Sequence, residues 1–175
     1  MPRPICQLGD PILTQPATPI TDVGDPEVQR LIADLLETMQ EAEGVGIAAP
    51  QVGVGLQLLI VASRPNPRYP TAPQMDPLPM INPRLLAASP EQEWGWEGCL
   101  SVPNQRGWLA RAQSVVVDYT TLTGESARVE WQGFVARIFQ HEYDHLQGYV
   151  FLQRDPGQLL SEADYQQQVL GVVKS

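Results

Sequence analysis

Apolar residues recur along this chain at two spacings, and the spacings predict which stretches coil and which extend. Val28, Leu31, Ile32, Leu35 and Met39 step by three and four, which lines them along one face of a helix. Asp25-Pro26-Glu27 precedes that stripe with a capping carboxylate, a proline at the first helical position and an acid in the first turn. Gly44 follows it as a C-cap, so a helix over residues 26–43 is expected. Phe134, Ile138, His141 and His145 step by four, three and four. They predict a second helix, residues 134–146, opened by Gly133 and closed by Gly148, with both imidazoles on its inward face.

The remaining patterns are those of strands and loops. Residues 56–62 form an apolar run that reads as a buried strand. Residues 80–86 read as a strand interrupted at Pro83, hence an edge or a bulge. Residues 112–119 and 127–131 flank Leu122-Thr123-Gly124-Glu125 and predict an antiparallel hairpin. In the stretch 94–103, Cys99 sits between Gly98 and Leu100 after what reads as a glycine-punctuated turn, and Val150-Phe151-Leu152 reads as a short strand. Ser161-Glu162-Ala163-Asp164 starts a short C-terminal helix that ends near residue 170. Five prolines among residues 1–24 predict an extended arm, and six prolines among residues 63–79 a surface loop.

Composition narrows the function without choosing it. A chain of 175 residues predicts one domain, residues 1–175. The net charge of −9, with Lys174 the only lysine, argues against tracking of nucleic-acid backbones. Two cysteines are too few for a disulfide framework, so Cys6 reads as packing and Cys99 is free to be a ligand or a buried structural residue. No apolar run approaches the roughly 18 residues that span a bilayer. A soluble cytoplasmic protein is expected, or an organellar one if a transit peptide has been removed.

The chemistry concentrates in His141-Glu142-Tyr143-Asp144-His145, which holds the only two histidines of the chain. Four residues make slightly more than one helical turn, so both rings can meet one borderline transition metal. The carboxylate of Glu142 is then placed to take a proton from water on that metal. Two imidazoles leave a third ligand to be found, and the thiolate of Cys99 is one candidate. Gly44 and Gly46 permit unusual backbone angles or a close approach by another chain, and Gln51 is a long amide in an otherwise small, apolar loop, either a donor for the site or a solvent-facing residue of a tight turn.

Three stretches together resemble the signature motifs of the peptide deformylases, in the same order and at similar separations. They are residues 44–51 (Gly-Val-Gly-Ile-Ala-Ala-Pro-Gln), residues 97–101 (Glu-Gly-Cys-Leu-Ser) and residues 140–148 (Gln-His-Glu-Tyr-Asp-His-Leu-Gln-Gly). The resemblance implies an α+β fold, with antiparallel sheets packed around a central metal-binding helix, an N-terminal helix and a short C-terminal helix. It implies removal of the formyl group from N-formylmethionyl nascent peptides, near the ribosome exit tunnel, by a metal-bound hydroxide. Carried over residue by residue, it makes Cys99, His141 and His145 the metal ligands and Glu142 the general acid/base. Gln51 and the backbone N–H of Leu100 become the oxyanion donors, and Gly46 a hydrogen-bonding partner of the substrate backbone. Arg106 becomes a substrate contact, and Glu97 with Arg111 an ion pair bracing the cysteine loop. The implied native ion is Fe²⁺, with Zn²⁺, Ni²⁺ or Co²⁺ able to take its place. Helix geometry adds Phe134, Ile138 and Val45 as candidate walls of a methionine pocket.

Two other readings fit the two-histidine motif. In a generic zinc protease the third ligand would be a downstream carboxylate such as Glu162. In a binding protein with a structural metal, a fourth protein ligand would fill the remaining position.

Overall fold

The structure, a computed structural model, describes residues 1–172. The last three residues of the expected 1–175 span lie outside that description. Among the described residues, three α-helices and two antiparallel sheets make up the fold, which is α+β as expected. The first sheet runs in the order β1 (Gly46–Ala48), β2 (Leu58–Val61), β3 (Leu78–Ala88), β6 (Ser114–Thr120) and β7 (Ser126–Gln132). The second runs β4 (Gln92–Cys99), β5 (Val102–Ala112) and β8 (Gln158–Ser161). The helices are α1 (Pro26–Glu41), α2 (Gly133–Gln147) and α3 (Glu162–Gln168).

The unbroken apolar run in β2 has a direct cause. Side chains alternate across a strand, and both faces of this one are covered. Leu58 and Ile60 pack with Leu31, Leu35 and Met39 of α1. Leu59 and Val61 pack with Ala136, Ile138 and Phe139 of α2. The thin middle of the first sheet is thus held between two helices, and α2 is pressed against β1 and β2.

The caps follow the sequence at one end of each helix. Asp25 accepts from the Glu27 N–H at 2.9 Å, and Ser161 accepts from the Asp164 N–H at 3.1 Å. Gly148 takes the left-handed conformation that ends α2, with φ of 86°. Gly44 does not play that part for α1. Glu43 holds the positive φ, 54°, while Gly44 donates its N–H to the Met39 carbonyl at 2.9 Å. A side chain on Gly44 would meet Leu100 Cδ1 at 3.1 Å, so close approach is what that glycine allows.

Two expected elements differ. No turn precedes Cys99: the residues before it lie in β4, and the chain reverses after it, at Leu100-Ser101. Residues 150–152 are not a strand, because Phe151–Gln153 form a 3-10 turn. The Gln153 side chain accepts the Val150 N–H at 2.9 Å, so a local bond satisfies the backbone where a partner strand would have. The interruption at Pro83 is a register shift between Ile81 and Arg84 inside β3.

The N-terminal arm includes one 3-10 turn, Pro11–Thr14, and ties the site loops together from outside. Cys6 donates its N–H to the Gln51 carbonyl at 2.7 Å, and Leu8 donates to the Ser101 carbonyl at 2.8 Å. Two loops distant in sequence are thereby clamped to one extended segment.

Candidate metal centre and active-site cleft

Helix α2 and the tip of the β4–β5 hairpin meet at three side chains. His141 and His145 stand one turn apart, with ring centroids 5.4 Å from each other. Cys99, the last residue of β4, brings its Sγ to 3.2 Å from His145 Nε2. One ligand atom from each of Cys99, His141 and His145 lies within 4.8 Å of the other two. A soft sulfur with two imidazole nitrogens is a donor set for zinc or ferrous iron. Burial disfavours the Cys99 thiolate, but His145 and His141 beside it hold its pKa well below the usual thiol range.

A buried ionic network fixes the approach of these groups. Glu97 is 3% exposed and accepts from His141 Nδ1 at 2.8 Å, which turns the other ring nitrogen of His141 toward the sulfur. The same carboxylate takes two bonds from Arg111, at 2.8 and 2.9 Å, and one from Arg137 at 2.8 Å. Arg111 continues to Asp144 at 2.7 Å, and Asp144 is also held by Arg154. Burial works against the charge on Glu97, yet Arg111 and His141 keep its carboxyl well below the ordinary carboxylate range. The Glu97–Arg111 pair expected from the motif is therefore present, as part of a larger cluster. Arg137 and Asp144 escaped the sequence reading, although Arg137, His141 and Asp144 step by four and three along α2 and form a second stripe.

Glu142 faces the same space. It is buried, its Oε2 has no hydrogen-bond partner among the described residues, and burial pushes its pKa up to about 7 against the pull of His141 and His145. Gly46 passes directly over it. A Cβ there would stand 2.8 Å from Ile138 Cγ2 and 3.0 Å from Glu142 Oε1, so this crossing requires glycine. Gln51 is 1% exposed. Its carbonyl oxygen accepts the Ala48 N–H at 2.9 Å, which orients the amide nitrogen toward Cys99 Sγ at 3.6 Å and Ser101 Oγ at 3.2 Å.

One narrow cleft brings these groups together. Val45, Gly46, Gln51, Cys99, Leu100, Arg106, Phe134, Ile138, His141 and Glu142 all line it, so nearly every residue singled out in the sequence converges there. His145 is fully buried, and its Nδ1 has no hydrogen-bond partner among the described residues. Arg106 is occupied: it binds Glu162 at 2.7 Å and the Tyr69 hydroxyl at 3.1 Å. That pairing commits Glu162 to Arg106, and Glu162 is not in the Cys-His-His cluster, so the generic protease reading loses its third ligand.

The proline-rich loop supplies residues that no motif or periodicity marks. Arg68 and Tyr69 also line the cleft. The Arg68 guanidinium grips the Ala42 and Glu43 carbonyls at the end of α1, and its own carbonyl accepts from the Tyr165 hydroxyl at 2.9 Å. The Tyr69 ring packs on Phe134 with centroids 4.9 Å apart.

Comparison with known proteins agrees with this geometry. A family model described as polypeptide deformylase matches residues 2–158. A protein of Nostoc sp. named peptide deformylase 2 is 50% identical over 168 residues, 95% of this chain and 94% of that protein. A Shewanella oneidensis protein of the same name is 50% identical over 153 residues, 87% of this chain and 84% of its own. Among solved structures, a class I type b peptide deformylase from Acinetobacter baumannii with Met-Ala-Ser bound superposes with a TM-score of 0.87. It is 47% identical, covering 88% of this chain and 98% of that one.

Proposed function

Because this chain belongs to the peptide deformylase family, we propose that it hydrolyses the formyl group from the N-terminal formylmethionine of newly made peptides, with Cys99, His141 and His145 holding one divalent ion. The observation that carries this reading is a sulfur and two imidazoles within 4.8 Å of one another beside a buried, unpartnered carboxylate. The resemblance favours Fe²⁺ as the native ion, with Zn²⁺, Ni²⁺ or Co²⁺ as substitutes. When bound, such an ion supplies a Lewis acid that lowers the pKa of water toward about 7 and polarises a carbonyl oxygen.

The side chains divide the remaining work. Glu142 accepts the proton of the attacking water and later returns it to the departing amine. The buried setting that raises its pKa suits it to both directions of transfer. As charge grows on the formyl oxygen, the Gln51 amide and the Leu100 N–H donate to it, and the Ala48 bond keeps Gln51 aimed without reorganisation.

Peptide binding follows from two strand edges. β1 and β4 are edge strands of their sheets, and residues of both line the cleft. Val45 directs its carbonyl to the Ala62 N–H, so alternation along β1 turns the polar groups of Gly46 to the free edge, where an extended peptide pairs. Val45, Phe134 and Ile138 would receive the methionine side chain, and Arg106 would contact the chain beyond it. The tight crossing of Gly46 over Ile138 and Glu142 leaves little room, which favours a formyl group over larger acyl groups. Nascent chains as substrates place the enzyme near the ribosome exit tunnel, in the cytoplasm.

Protein purified anaerobically and assayed on formyl-Met-Ala-Ser should release one formate per peptide and leave acetyl-Met-Ala-Ser intact. Absence of formate from metal-loaded protein would refute this function.

A further inference from the structure

Tyr69 lies in a loop that no signature motif includes, yet its hydroxyl sits on the free edge of β4. The oxygen accepts the Gly98 N–H at 3.2 Å and Arg106 Nη1 at 3.1 Å. Gly98 falls at the register shift between Glu97 and Cys99 and has no partner residue in β5. Its N–H is therefore an edge donor that faces the cleft one residue from Cys99. A Cβ on Gly98 would collide with Arg106 Nη1, so the guanidinium rests on this glycine and the two donors converge on one point. The oxygen found at that point belongs to the protein itself. An extended peptide adding to the edge of β4 would put a backbone carbonyl oxygen in the same place.

We propose that the Tyr69 hydroxyl holds the place of a substrate carbonyl oxygen, and that the incoming peptide must displace it from Gly98 and Arg106. The inference rests on the deformylase reading of the cleft. The loop is fastened on both sides of Tyr69. Arg68 is bound to the end of α1 and to Tyr165 of α3, and the Tyr69 ring packs on Phe134. The hydroxyl therefore stands at the edge without help from a ligand, and it competes with every peptide that enters. It also keeps two polar donors satisfied, and leaving them unpaired would carry a penalty. Tyr69 thus sets affinity for the peptide main chain, independent of side-chain sequence.

The test is Tyr69→Phe, which keeps the ring against Phe134 and removes only the competing oxygen. Steady-state kinetics on formyl-Met-Ala-Ser should show KM lowered about fivefold, the equivalent of one ordinary hydrogen bond, with kcat changed by less than twofold. The dissociation constant of the product Met-Ala-Ser should fall by a similar factor. Loss of packing could only raise KM, so a fall is not a structural artefact. A KM that is unchanged or higher, with the variant folded by circular dichroism, overturns the proposal. Wild-type protein that releases no formate overturns the deformylase reading instead, and the two failures are distinguishable in one experiment.

Discussion

Replacing Glu97 with glutamine isolates the charge that organises the site. The carboxylate holds Arg111 through two bonds, Arg137 through one and His141 Nδ1 through one, all between 2.8 and 2.9 Å, with 4% of its side chain exposed. Glutamine fills the same volume but brings an amide donor to face three donors. Arg111 would keep Asp144, and Arg137 would keep only backbone carbonyls. Removing one partner of a buried ion pair costs about 3–5 kcal/mol, which for a chain of this size lowers the melting temperature by roughly 6–20 °C. His141 would also lose the group that orients its ring, and loss of such a partner weakens metal affinity by about 10–100-fold.

Thermal melts of both proteins, and competition with a chelator of known affinity, measure the two effects separately. The pH dependence adds a signature. The folded-state pKa of Glu97 is depressed, so its contribution is fully present above its unfolded value of about 4.3 and is lost as pH falls toward the folded value. The gap in stability between wild type and Glu97→Gln should therefore be largest near neutrality and shrink below about pH 4. As a control, Asp118→Asn removes a half-buried carboxylate paired with the exposed Arg128 and should leave the midpoint nearly unchanged. A Glu97→Gln protein that melts with the wild type and binds metal equally well would refute the argument that this network holds the site together.

Other outcomes follow from single contacts. Glu142→Gln should retain metal and lower kcat by about 10²–10⁴-fold, read from formate release beside metal analysis. Gly46→Ala should destabilise by about 1–3 kcal/mol, because its methyl would stand 2.8 Å from Ile138 Cγ2, and kcat/KM should fall with it. Chelation should abolish activity and re-addition of Fe²⁺ under anaerobic conditions restore it; activity that survives chelation would remove the metal from the mechanism.

Much of the fold was legible because periodicity reports burial. The α1 and α2 stripes and the β6–β7 hairpin lie where the spacing placed them, and the apolar run of β2 reflects a strand covered on both faces. The misreadings share a cause. β4 carries Trp94, Gly95, Trp96 and Gly98, a pattern set by aromatic stacking and by arginines lying over glycines, neither of which leaves a simple alternation. Gly95 and Gly98 make room for Arg137 and Arg106, so glycines that read as a turn are contact points between a strand and distant side chains. Residues 150–152 are apolar like a strand but close a local turn through Gln153.

The site divides along the same line. Helical spacing alone places His141, Glu142 and His145, whereas Cys99 and Gln51 are ambiguous from spacing and are assigned only by the family resemblance. The reason is that they reach the site through long-range contacts: Gln51 meets Cys99 and Ser101 across about 50 residues of chain, under the clamp of the N-terminal arm. Tyr69 and Arg68 could not have been found that way, since a proline-rich loop has no period and its role comes from where it is fastened.

The central claim is that one divalent ion is bound by a sulfur and two ring nitrogens drawn from β4 and α2. X-ray absorption of the zinc-loaded protein addresses it directly. The expected spectrum shows one sulfur scatterer at about 2.3 Å and two imidazole nitrogens at about 2.0–2.1 Å, with the sulfur shell lost in Cys99→Ser. A first shell of nitrogen and oxygen alone in the wild type would contradict the account.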